Sequence, residues 1–139
     1  MIKAKISDII NSQNVLKELS EKPVRVRTSF AIARIIRQVE NEMQTFEKAR
    51  AELINRYGVK DENGNPKIEN GQIPIVLELV DKYNSEVKEL LDTYINLEVE
   101  PLKIEDLDEI QLTPAQAYAI ECFIENPLKW GDFIIKNEL

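Results

Sequence analysis

The sequence predicts a mainly α fold: an antiparallel hairpin of long helices with a small β-hairpin or meander at its tip, plus short N-terminal and C-terminal helices. Three observations predict it. Two apolar seams at heptad spacing lie close together in the chain. A polar stretch with two Asn-Gly pairs separates them. A later segment, "LTPAQAYAIECFIEN", carries the start and stop signals of a short helix.

In chain order, the first element is a short helix. Ser7 can cap it, Ile9, Ile10, Leu16 and Leu19 give it an apolar face, and Pro23 closes it. The long helix follows in "TSFAIARIIRQVENEMQTFEKARAELINRYG", with Thr28 or Ser29 as N-cap and Gly58 as the residue past its end. Between them Ile32, Ile36, Val39, Met43, Phe46, Arg50, Leu53 and Tyr57 step alternately by four and three. That is a heptad seam containing one arginine.

"GVKDENGNPKIENGQIPI" forms the tip. Asn63-Gly64 and Asn70-Gly71 suit type I′ turns, and Pro66 confines any strand to an edge. The second seam, Val76, Val80, Tyr83, Val87, Leu90 and Tyr94, is widened by Leu77, Leu79 and Leu91. Antiparallel alignment pairs Leu53 with Val80 and Arg50 with Tyr83, with Glu86 one turn farther on. Arg50 is therefore expected to be partly buried, over the Tyr83 ring or bonded to Glu86.

"INLEVEPLKI" reads as extended, and "EDLDEI" as a single helical turn. The last helix has Thr113 as N-cap, Pro114 in its first turn, Gln116 closing a capping box, and Pro127 as its stop. Residues 1–126 are expected to form a single helical domain and 127–139 a C-terminal apolar tail. At 139 residues one domain buries roughly 70% of its unfolded surface.

Composition narrows the function. There is no histidine, so the usual general base, the commonest metal ligand and any Ser–His or Cys–His pair are missing. Cys122 is the only cysteine and sits in an apolar run, as a small buried hydrophobe does. Four scattered glycines make no phosphate-binding pattern. No cofactor is implied, and no apolar run is long enough to span a membrane. "MIKAKISDIINSQ" lacks a signal-peptide core and cleavage site, and "KNEL" without one is no retrieval signal.

Carboxylates are the remaining chemistry. Glu78 and Asp81 have the "E-x-x-D" spacing of the all-α nucleotide pyrophosphohydrolases, which hold magnesium between facing helices. Here they lie off the seam and converge poorly with Glu40, Glu42 or Glu47, and magnesium demands tight octahedral oxygens. The acidic run Glu98, Glu100, Glu105, Asp106, Asp108 and Glu109 reads as a solvated face. The chain is therefore read as no enzyme.

Charge is unevenly spread. The net charge is −7, yet residues 1–37 hold eight Lys/Arg and three Asp/Glu. Complementarity of the two ends within the fold is the simpler reading, an anionic partner the other. In "RVRTSFAIARIIRQ", Arg34 and Arg37 point away from the seam, on a stripe that continues to Lys48. Outward cations at helical spacing can contact phosphates. No recognised nucleic-acid-binding motif or base-stacking aromatic accompanies them, so nucleic acid is not the expected partner. The tail "NPLKWGDFIIKNEL" is too apolar to be idle. Trp130, Phe133 and Ile134 are expected to bind a neighbouring subunit in preference to the long helix around Ile32 and Ile36.

The order of features, strongest at "FEKARAELINRYG" and "EPLKIEDLDEIQLTP", resembles a family of small uncharacterised proteins encoded by tailed phages and prophages of Gram-positive bacteria. The likeness spans about residues 5–125, and residues 126–139 go beyond it. It implies phage origin and gross arrangement, and assigns no catalytic or binding residue. The expected function is a non-catalytic protein–protein interaction or virion-assembly role. The partner is another copy of the chain or another phage or host protein, in the host bacterial cytoplasm or the virion. The alternative is a regulator or counter-defence factor that binds a host protein or nucleic acid through the basic N-terminal third.

Overall fold

The first long seam folds as one uninterrupted helix. In the computed structural model, which describes residues 1–125, helix α2 runs from Val26 to Tyr57, 32 residues or roughly 48 Å. Before it come strand β1 (Ile2–Lys5) and helix α1 (Ile6–Ser20); after it come helix α3 (Val80–Leu91), strand β2 (Tyr94–Leu97) and helix α4 (Pro114–Ala119). The chain is mainly helical, with a long helix, a two-stranded antiparallel sheet and short C-terminal helices.

Helix α2 has two partners along its length. Its first half presents Thr28, Ile32, Ile35 and Val39, all buried, to α1, which buries Ile9, Val15, Leu16 and Leu19. Its second half meets α3, and Tyr57 there packs against Tyr83. The core lies at the first of these contacts. Leu97 of β2 joins it, with Leu102, Ile120 and Phe123 from the C-terminal quarter. α3 contributes no fully buried residue and is the lighter side of the hairpin.

Several element ends differ from the sequence reading, each because of a specific contact. α2 starts ahead of Thr28 and Ser29. Its first turn is held from outside: the Glu109 carboxylate accepts from the Arg25 backbone N–H at 3.0 Å. α1 is capped at Lys5, whose N–H donates to Asp8 at 3.2 Å, and Ser7 lies inside the helix. The residues before it are claimed by β1, which pairs antiparallel with β2 in the register Ile2↔Leu97 to Lys5↔Tyr94. Gly58 ends α2 with extended backbone, φ −74°, so no left-handed cap forms.

The second seam is helical only in its middle. Leu77–Leu79 form a single tight turn before α3, and Tyr94 already belongs to β2. At the tip, Asn70 and Gly71 both take positive φ, 52° and 77°, and Glu69 and Gln72 exchange both backbone hydrogen bonds. That is the expected two-residue hairpin turn. At Asn63-Gly64 only Gly64 has positive φ. The Asp61 carboxylate accepts from the N–H groups of Asn63 and Asn65 at 2.9 and 3.0 Å and imposes an Asx turn instead. Pairing along the tip stays at isolated bridges.

Thr113 and Gln116 form the expected capping box, but α4 ends at Ala119, well before Pro127. The chain turns there so that Ile120 and Phe123 can plug the core, both fully buried. The expected domain end at Asn126 and the tail 127–139, with Trp130, Phe133 and Ile134, lie outside the described residues.

Candidate partner-binding groove

The basic start of α2 and the acidic stretch that follows β2 are neighbours. Arg25 reaches Glu109 at 3.6 Å, and Arg27 reaches Asp106 at 3.1 Å. Lys22 donates to the Gln111 carbonyl at 2.9 Å. Two of the four arginines in "RVRTSFAIARIIRQ" are thus used within the fold. The arginines of these pairs are largely exposed, 82% and 75%, so each pair adds on the order of 1 kcal/mol; together they hold residues 98–111, a strap, against α2.

Starting at the Arg27–Asp106 pair, both members of which line it, the two segments enclose a groove of about 830 Å³. Arg34 and Arg37 stand on its α2 wall, Glu98 and Glu100 on the opposite wall, and Val99 and Leu102 contribute apolar lining. Among the described residues, no carboxylate lies within ion-pair distance of Arg34 or Arg37. Phe30, between Arg27 and Arg34 on the same helix, is 61% exposed, and Val26 is 72% exposed. The core face of α2 is already filled, so these two side chains are left pointing outward.

Lys48 does not join this groove. It sits about 16 Å along the helix from Arg37, in a shallow depression with Gln13, Met43, Gln44 and Glu47. The basic stripe of the sequence is therefore split, and its neutral middle separates two different surfaces.

The inferred Arg50 contact with Tyr83 or Glu86 does not form. Arg50 is exposed and pairs with Glu47 on its own helix at 3.4 Å. Arg56 takes the place beside Glu86, at 3.8 Å, and Tyr57 the place beside Tyr83. The helices are thus offset by nearly two turns from the alignment inferred for the seams. The bridge Gly58↔Ile75 fixes where the chain leaves α2 and re-enters toward α3.

Other chemical candidates are dispersed. Glu78 and Asp81 are exposed on the α3 side, as are Glu40 and Glu47 on α2, and Glu42 is half-buried. No group of three or more Cys, Asp or Glu among the described residues is placed to hold a metal. Cys122 lines a cleft with Asp8, Asn11, Tyr118 and Glu121. Burial pushes its thiol up to about 11, and the nearby charges of Asp8 and Glu121 add to the shift. A thiol held protonated is a poor nucleophile.

Sequence reasoning found Arg34 and Arg37 but missed Phe30 and the Glu98/Glu100 wall. Phe30 falls two residues before the seam begins, and that off-seam position was its signal. Glu98 and Glu100 alternate with half-buried Val99 and buried Leu97, which marks the outward face of an extended segment. Among the described residues no helix is long and apolar enough to cross a membrane. No protein-family model, curated protein or solved structure matches the chain.

Proposed function

We propose that the chain is a non-catalytic protein–protein interaction protein of phage origin that acts in virion assembly as an oligomer. The observation that carries the reading is Phe30, an aromatic side chain 61% exposed on a helix anchored in the core and flanked by arginines. Aromatic and arginine side chains on rigid elements are the usual anchors of protein interfaces. Leu77, 86% exposed at the entrance to α3, is a second apolar projection at the far end of the hairpin. Scattered carboxylates and a protonated thiol support the non-catalytic part. The resemblance of residues 5–125 to small phage proteins supports the origin, and with it a site of action in the host cytoplasm or the virion.

Light scattering of the purified chain at near-physiological ionic strength tests the oligomer. Mass spectrometry of purified particles from an infected or induced host tests the assembly role. A monomer that is absent from both particles and assembly intermediates overturns the proposal.

A second reading has its own support: among the described residues the guanidinium groups of Arg34 and Arg37 have no carboxylate within ion-pair distance. On that reading the chain is a regulator or counter-defence factor that binds a host protein or nucleic acid through its basic end. Binding to a duplex oligonucleotide would then fall steeply with salt, because each phosphate contact releases counterions. Arg34→Glu with Arg37→Glu would abolish it.

A further inference from the structure

We infer that the groove between α2 and residues 98–106 is the contact surface of a two-fold symmetric dimer of this chain; the inference rests on the oligomeric reading above. The two walls carry opposite net charge, Arg34 and Arg37 on one, and Glu98 and Glu100 beside a single cation, Lys103, on the other. Side-by-side walls of opposite sign are complementary to themselves. A two-fold axis passing between them sets the arginines of each copy against the glutamates of the other, the reciprocal pairing of an isologous interface.

The state of these charges fits that use. Arg25 and Arg27 are paired within the fold, whereas among the described residues Arg34 and Arg37 have no carboxylate within ion-pair distance. A polyanion entering the groove would meet Glu98 and Glu100, and an acidic peptide would meet the same repulsion. Mixed walls select a partner of mixed charge, because like charges brought together on docking are costly. Exposed apolar side chains adjoin lining residues in the chain. Phe30 stands beside the arginine wall, and Ile104, 48% exposed, follows Lys103 on the other.

Charge reversal in full-length protein tests this in a way that separates self-association from internal pairing. One variant carries Arg34→Glu and Arg37→Glu; the other carries Glu98→Arg and Glu100→Arg. All four positions are exposed, and circular dichroism checks that both variants fold. In sedimentation velocity each variant alone should dimerise at least roughly 100-fold more weakly than wild type, since like charges then face each other across the axis. An equimolar mixture should recover dimer to within about tenfold of wild type, because both walls are again opposed by the opposite sign.

Two monomeric variants whose mixture stays monomeric would overturn the pairing. A wild-type oligomer whose mass neither variant changes would overturn the groove interface and leave the oligomeric reading standing. A wild-type monomer would sink both. Two further results would also overturn it by assigning the groove to another occupant: oligonucleotide binding lost in the arginine variant with mass unchanged, or altered Trp130 fluorescence with mass unchanged.

Discussion

Tyr57 and Tyr83 meet edge to face, with ring centroids 6.4 Å apart and ring planes inclined by 74°. Tyr57 is buried at the end of α2, and Tyr83 is half-buried on α3. Since α3 has no fully buried residue, this contact is central to the attachment of the second arm. Tyr57→Ala should destabilise by about 3 kcal/mol and Tyr83→Ala by less. A double-mutant cycle in urea should return a coupling of about 1 kcal/mol. Additive effects would show that the rings merely neighbour each other.

Arg50 and Glu86 give a second, contrasting expectation. Among the described residues Arg50 bonds only to Glu47, at 3.4 Å, and both side chains are about half exposed, 49% and 56%. Arg50→Ala should therefore change stability by less than about 0.5 kcal/mol. Glu86 is different: its Oε2 is buried without a hydrogen-bond partner among the described residues, and Arg56 lies 3.8 Å away. A long pair of this kind returns little of its desolvation cost. Glu86→Gln should stay within about 1 kcal/mol of wild type in urea melts. A large loss would mean that the Arg56 contact is tighter than the geometry indicates.

These two cases also mark how far the sequence could be read. The first seam specified α2 because one face carries apolar residues over about seven turns, broken only by Arg50, with no proline or glycine inside it. Periodicity cannot report what lies opposite. Ile35 is fully buried although it is off the heptad, because it belongs to the same core cluster as Ile9, Leu16 and Leu19 of α1 and as Ile120 and Phe123. Arg50 occupies a seam position but is exposed and pairs with Glu47 on its own helix, an outcome that seam spacing alone does not distinguish from burial. β1 was hidden for a related reason. "IKAK" alternates over four residues only, too few to be told from the start of a helix, and its partner lies some ninety positions later. The groove was half legible. Its arginine wall is local to one helix, whereas its glutamate wall depends on how a distant strap is laid down.

Gly58 tests the junction between the two arms. Its backbone is not left-handed, so glycine is required there by space. A Cβ at this position would stand inside contact distance of the Ile54 carbonyl oxygen and 2.7 Å from Ile73 Cγ2. The carbonyl belongs to the last turn of α2 and cannot move without losing the Gly58 N–H···O bond of 2.7 Å. Gly58→Ala should cost about 2–3 kcal/mol, as overpacking does. Addition of an alanine side chain at Gly71, where nothing lies within 4 Å of the added carbon but φ is +77°, should cost about 1 kcal/mol through backbone strain alone. Equal losses in thermal melts of the two variants would contradict the steric argument.

Cys122 yields the last prediction. Its folded pKa is raised from an ordinary 9.0 to about 11, chiefly by burial, then by the Asp8 charge, with Glu121 adding to it. At about pH 8 the folded chain should react with iodoacetamide roughly 100-fold more slowly than the urea-unfolded chain, because only the thiolate attacks. The sign of the linked stability follows from the direction of the shift. The folded state holds the proton more tightly than the unfolded state, so this contribution is complete below about pH 9 and declines as pH rises toward 11. Tyrosines and lysines titrate in the same range, so the comparison is made against Cys122→Ala, which lacks only the thiol. The stability advantage of wild type over that variant should shrink steadily across this window. A constant difference, or equal alkylation rates in the folded and unfolded chains, would show that the thiol is open to solvent and that the cleft beside Tyr118 does not shield it.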